Sequence, residues 1–393
     1  MRHKRIGAVL AGLLATWGMQ APAAAPERIK LGYITTLSGP GGQQGEEMQR
    51  AFQLGLESLG GKLGGVPVDL VVGDDQARPQ AATQVVRQMM DRDGVQLVTG
   101  LIYSNVVEAV TATVMPTGRL VVASVGGSSE LAGPNCNQNF FVMSWNTDTV
   151  FEAIGEVLKR SGARRVAVVA QNFQAGWDVV TGVKRGYGGD LVGEILVRID
   201  QSDFAAELTQ LRQSRPDAIV YFLPGGPGNA FIRQFTQAGL NRTIKTYAAT
   251  FQIDEMSFAA VGDVALGIQT VGSWSPGLDN PANRRFVTAF RERYNRTPGI
   301  LAAMAYDTVF MLDAAVREAG GRITDTDAMR TALRQARFES VRGPLSFNTN
   351  NFPIQNFYLN RVGRNAQGGL QTELVETVAE RRADVHAARC PSR

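Results

Sequence analysis

The sequence predicts an α/β chain made of two doubly wound, parallel-sheet lobes joined by a hinge of three crossings. Three observations carry this. Short apolar runs alternate with amphipathic helical segments from residue 28 onward, as expected of parallel sheets covered on both faces. The same strand–turn–helix series starts again near residue 165. A length of 393 residues is more than one hydrophobic core usually serves.

In the first series Ile29, Leu31 and Tyr33 alternate in a strand that ends at the Gly-rich turn 38–42. A helix follows with Met48, Ala51, Phe52, Leu56 and Leu59 on one face. Residues 68–72 form a second strand, and Pro79 opens a helix where its missing N–H costs nothing. Residues 96–99, a helix from about Asn105, and residues 120–123 complete the series. The second series has strands at 165–170, 191–199, 218–222 and 246–249. Extended stretches at 140–146, 267–275 and 341–348 are the expected crossings. They divide the chain into a first lobe of 24–143 plus 275–343 and a second of 144–274 plus 344–393.

The N-terminus reads as an export signal over 1–23. Arg2, Lys4 and Arg5 precede a short apolar run, and Ala21-Pro22-Ala23 is a small-x-small cleavage site. The run is too short to span a bilayer, and no cysteine follows the site to carry a lipid. A soluble protein of the periplasm is expected. Without those three basic residues the chain has 37 basic and 36 acidic side chains. Nucleic acid is therefore not an expected partner, since phosphate binding needs a basic face. Cys136 and Cys390 form one disulfide on the simplest reading for an oxidising compartment. Two unpaired thiols are the alternative.

The chain carries only His3 and His386, too few for a histidine metal cluster or a convincing Ser-His-Asp triad. No Walker A loop is present, and the glycines at 39–45 lack dinucleotide-binding spacing; a tight turn explains them. Asp74-Asp75 reads as a solvated loop rather than an acid/base couple. No cofactor, metal or catalytic residue is expected. The plan does offer a site at the carboxyl ends of parallel strands. In the first lobe these ends are Tyr103-Ser104-Asn105 and Val125-Gly126-Gly127. A helix starting near Ser104 would aim free N–H groups at a carboxylate, unless Ser104 or Asn105 is a plain N-cap. In the second lobe the ends carry Phe173, Gln174, Trp177, Gly225 and Phe251, with no charge.

The segments 34–39, 73–76, 100–105, 123–131, 171–176, Gly225-Gly226, 302–307 and Arg342-Gly343-Pro344, in this order, resemble the type I periplasmic solute-binding proteins of the branched-chain amino-acid (Leu/Ile/Val-binding) family. The resemblance covers nearly the whole mature chain. It implies two lobes on a three-crossing hinge, no catalysis, and partnership with the membrane permease of an ABC importer. In that family a hydroxyl residue after the third strand holds the ligand's α-carboxylate, and Ser104 matches it. Gly127 stands where Thr is common, Ala175 and Pro227 where tyrosines are usual, and Phe251 or Gln252 in the region of the acidic partner of the α-ammonium. An amino-acid ligand is thereby disfavoured. Residues 172–176, 223–226, 273–276, 279–283 and 347–355 resemble the branch that takes benzoates and hydroxycinnamates. The expected ligand is a small aromatic carboxylate. Ser104, Asn105 and backbone groups at Val125, Gly126 and Gly127 would hold its head. Phe173, Trp177, Phe251, Tyr103 and Trp274 would pack on its ring, with Gly225 nearby and Gln174 or Gln252 bonding a substituent. A monomer is expected. A branched-chain amino acid or an amide as ligand, or a signalling role in place of transport, remains the alternative.

Overall fold

The computed structural model describes residues 27–391, so the expected export signal lies outside the described residues. The first sheet has the order β2-β3-β1-β4-β5-β6. Its strands are β1 (Ile29–Thr35), β2 (Lys62–Leu63), β3 (Val66–Asp74), β4 (Leu97–Gly100), β5 (Leu120–Ala123) and β6 (Phe140–Val142). All pairs are parallel except the short β2–β3 hairpin at the edge. β4 and β5 are buried along their whole length, which is why they read as unbroken apolar runs instead of alternating ones.

The second sheet comprises β7 (Val166–Gln171), β8 (Gly193–Val197), β9 (Ala218–Phe222), β10 (Lys245–Ala249) and β11 (Gln269–Gly272). These five are parallel, in the order β11-β10-β9-β7-β8. Beyond β11 the sheet turns antiparallel through β13 (Pro353–Arg364), with β12 (Leu345–Phe347) and β14 (Leu370–Arg382) paired to it. Both sheets are thus mixed, where the sequence pattern implied parallel strands alone. The antiparallel additions are the β2–β3 hairpin and the β12–β13–β14 set, each at a sheet edge.

The chain passes between the sheets three times. Met143 to Asn146 leads from β6 to the helix Thr147–Arg160. Ser273 to Asn280 leads from β11 to the helix Pro281–Tyr294, whose Tyr294 hydroxyl reaches the Arg50 carbonyl at 3.2 Å. Residues 336–344 return from the helix Thr326–Gln335 to β12. Arg342 locks two of these passages together. Its guanidinium is 1% exposed and pairs with the fully buried Asp307 at 2.9 Å, while Nη1 donates to the carbonyl of Met143 and to Gln355 Oε1 at 2.7 Å. A buried charge of this kind is tolerable because it is paired and hydrogen-bonded at once. Cys136, between β5 and β6, is bonded to Cys390 in the tail after β14, with Cα atoms 5.4 Å apart. No helix among the described residues is long and apolar enough to cross a membrane.

The Asp74-Asp75 pair is a brace and not a solvated loop. Asp75 is fully buried and accepts from Thr36 Oγ1 at 2.5 Å and the Ala77 amide at 2.8 Å. Asp74 accepts from the Leu37 amide and the Ser38 hydroxyl. Together they pin the turn after β1 to the end of β3.

Candidate functional site

In each sheet the strand order reverses about one strand, β1 in the first and β7 in the second. A crevice opens at the carboxyl end of such a reversal, and here the two crevices face each other. The cleft between them has about 500 Å³ of atom-free space, open mouth included.

The first lobe supplies Gln44, Ile102, Tyr103, Ser104, Val125, Gly126, Gly127 and Leu301. Ser104 begins the helix Ser104–Val114, whose N-cap is Tyr103 and which has no side-chain cap. Neither Ser104 nor Asn105 acts as N-cap, so the first amides of this helix have no partner within it and carry the positive end of its dipole. The Ser104 side chain makes no hydrogen bond to another described residue. Gly126 has φ +82°, and a Cβ there would strike Val107 and the Ile102 carbonyl. The tight backbone after β5 therefore needs glycine to fold against the end of β4. A Cβ on Gly127 would collide with the Trp145 carbonyl. The Gly127 carbonyl is held by the amide and hydroxyl of Thr147 at 2.9 and 3.0 Å. The Tyr103 hydroxyl donates to Gln44 Oε1 at 2.8 Å, and burial pushes its pKa up, so it stays protonated.

The second lobe and the first crossing supply Trp145, Thr147, Phe173, Ala175, Phe222, Pro224 and Phe251. Trp145 stacks on Phe251 with centroids 5.4 Å apart and 10° between planes. Phe222 meets Phe251 edge-on at 6.0 Å and Phe173 at 5.9 Å. No Asp, Glu, Lys or Arg lines the cleft. Such a site can take an apolar or aromatic body against the second lobe and an anionic head against the helix start of the first. It offers nothing to neutralise an ammonium.

Seven of the residues singled out from sequence come together here: Tyr103, Ser104, Val125, Gly126, Gly127, Phe173 and Phe251. Five lie outside the lining. Asn105, one helical step past Ser104, is absent from it. The Gln174 amide donates to Asp178 at 2.9 Å and to Ser129 at 3.3 Å. Trp177 is 50% exposed, with its Nε1 donating to Asn172. Gly225 is the N-cap of the helix Gly226–Gln237, beside the lining Pro224. Trp274 is fully buried in the second crossing, with Nε1 bonded to Asn283 at 2.7 Å. Gln252 is also absent from the lining. Gln44, Trp145, Phe222 and Leu301 were not foreseen as lining residues. Phe222 and Pro224 lie within a strand end that strand placement alone had located; the others approach from a helix or a crossing and leave no local pattern.

Residues 28–368 match the model of the periplasmic binding protein family. The Leu/Ile/Val-binding protein homolog 6 of Brucella abortus is 26% identical over 376 residues, covering 93% of this chain and 95% of that one. A solute-binding protein of an ABC transporter from R. palustris, solved in complex with benzoate, is 27% identical with a TM-score of 0.87, covering 93% of this chain and all of that one. A leucine-binding protein from Thermotoga maritima shares the fold at 20% identity and a TM-score of 0.79, covering 88% of this chain and 99% of that one. The chain belongs to the periplasmic binding protein family, as a non-catalytic solute-binding protein of the type I class that works in the periplasm and is related to the Leu/Ile/Val-binding and aromatic-acid-binding branches.

Proposed function

We propose that the protein is the solute-binding component of an ABC importer and that its ligand is a small aromatic carboxylate of the benzoate or hydroxycinnamate type. The observation that carries the reading is the division of the cleft: an uncapped helix start at Ser104 faces an uncharged aromatic wall of Phe173, Phe222 and Phe251. A carboxylate at a helix N-terminus is stabilised by free amides and the helix dipole, and a ring buries well against such a wall. The similarity to a protein solved with benzoate supports the same class. On this reading ligand binding bridges the lobes and biases the hinge toward a closed form, which a membrane permease then recognises. The protein acts as a monomer.

The curated relatives are named for branched-chain amino acids, which makes leucine or valine the second reading. The absence of an acidic side chain from the lining speaks against it, because burying an unpaired ammonium costs several kcal/mol. A thermal-shift and calorimetric screen of benzoate, 4-hydroxybenzoate, hydroxycinnamates, leucine and valine separates the two. Ligand at about 100 times its dissociation constant adds about 2.7 kcal/mol of stability. A shift with leucine and none with any aromatic acid overturns the proposal.

A further inference from the structure

Two carboxylates of the second lobe reach across to backbone amides of the first, one on each side of the pocket. Asp178 follows the lining residues Phe173 and Ala175 by a few positions. Its Oδ2 accepts from the Ser129 amide at 3.0 Å and its Oδ1 from the Ser129 hydroxyl at 2.6 Å. Ser129 stands two residues beyond the lining Gly127. Asp254 stands three residues beyond the lining Phe251, and its Oδ2 accepts from the Ile300 amide at 3.0 Å. Ile300 opens the helix Ile300–Glu318 and precedes the lining Leu301. Each contact therefore ties a wall segment of one lobe to a wall segment of the other.

Neither carboxylate has a cation of its own. Asp178 is 4% exposed and Asp254 1%, and the Arg and His side chains nearby are bonded elsewhere. Around Asp178, the helix Thr147–Arg160 presents Asp148, which is already paired with Arg185 and His386 at 2.9 and 2.7 Å. The helix Ser104–Val114 presents Glu108, and Glu130 lies beyond it. Asp254 faces Glu47 from the helix Gly42–Ser58 and Glu255 on its own segment. Glu47 accepts from the Gly299 amide at 2.6 Å and takes Arg296 at 2.7 Å, with Arg50 farther out. A Cβ on Gly299 would strike both the Asp254 and Glu47 carboxylates, so the two acids converge on one point. Parting the lobes would give each carboxylate back to water. Joining them buries it among acids.

We propose that Asp178 and Asp254 are positioning residues that latch the second lobe onto the first on either side of the pocket, and that closing the lobes takes up protons at them. Burial is the main cause in both cases: it raises the carboxyl of Asp178 above the usual range, and that of Asp254 well above it with Glu47 adding to the effect. A group whose pKa is higher in the closed form favours that form at low pH, and the advantage fades as pH rises through the closed-form value. The inference rests on lobe closure, not on which solute is bound.

The test compares the purified wild type with Asp178→Asn/Asp254→Asn, in which neutral amides keep an acceptor for Ser129 and Ile300. Small-angle X-ray scattering without ligand, between about pH 5.5 and 8 where ordinary carboxylates are ionised, reads the lobes directly. The wild type is expected to contract as pH falls, and the double variant to keep one radius throughout. His386 titrates in both proteins and cancels from the difference. Identical pH responses, including none in either, overturn the proposal. Calorimetry with benzoate is the second arm. Wild-type affinity is expected to weaken with rising pH, by up to about tenfold per unit for each proton taken up, and the variant's to stay level. Equal slopes overturn the latch and leave the aromatic-acid reading standing. A pH-dependent contraction confined to the wild type, with no benzoate binding, does the reverse. Should the double variant fail to fold by circular dichroism, each single variant and Gly299→Ala are measured the same way, each expected to remove part of the pH response; a full response in all of them overturns the latch.

Discussion

The two walls of the cleft are made of different chemistry. The first-lobe wall is narrow backbone and small polar groups: Ser104 at an open helix start, Gly126 and Gly127 in a turn that excludes side chains, and Gln44 with Tyr103 in a hydrogen-bonded pair. The second-lobe wall is ring upon ring, Phe173 to Phe222 to Phe251, with Trp145 stacked at its end. On the proposed function, the two kinds of recognition sit on separate lobes and cooperate only when the lobes meet. A ligand with a head but no flat body, or a body but no head, satisfies one lobe and gives little reason to close.

The largest expected effect exploits what the second wall lacks. Leucine, whose ammonium finds no anion there, should bind more than about a hundredfold more weakly than benzoate, since an unpaired buried charge costs several kcal/mol; calorimetry on both ligands checks this. Next, Phe251→Ala removes the ring that joins Trp145 to Phe222. A lost buried aromatic should weaken benzoate by about 2–3 kcal/mol, or about a hundredfold, while leaving the acid's need for ionisation unchanged. Ser104→Ala breaks the other wall more gently. A hydrogen bond to a charged group contributes about 1.5–3 kcal/mol, so benzoate affinity should drop at least about tenfold; unchanged affinity means the head lies elsewhere. The smallest effect belongs to Gln44→Leu, which frees the Tyr103 hydroxyl of its neutral acceptor. A loss of about 1 kcal/mol, or about fivefold in affinity, is expected for benzoate.

How far the sequence reaches differs between these walls in the same way. The two lobes were legible because fully buried parallel strands such as β4, β5, β7 and β9 leave unbroken apolar runs, and their carboxyl ends point to the site by topology. The first wall followed from that, since backbone geometry at Ser104 and Gly126 is local. Side-chain direction was not. Trp177 and Gln174 stand on the same helix start as Phe173, yet one turns to solvent and the other to Asp178 one turn along, a matter of helical phase. Trp145 and Leu301 enter from segments far away in sequence. The buried acids were the least visible: Asp75, Asp178 and Asp254 look like ordinary loop and helix-surface residues until the amides they accept from are placed beside them.

The bond between Cys136 and Cys390 has a consequence that the sheets alone do not convey. It closes a covalent ring through 254 positions of chain, and that ring contains every strand of the second sheet. The second sheet cannot unravel as a free polymer while it is intact, because the disordered chain would still be a loop with its ends held together, whereas β1 to β5 precede Cys136 and lie outside that loop. The protection, about 2–4 kcal/mol for a bond of this kind, falls on the looped part of the chain and disappears in a reducing solvent.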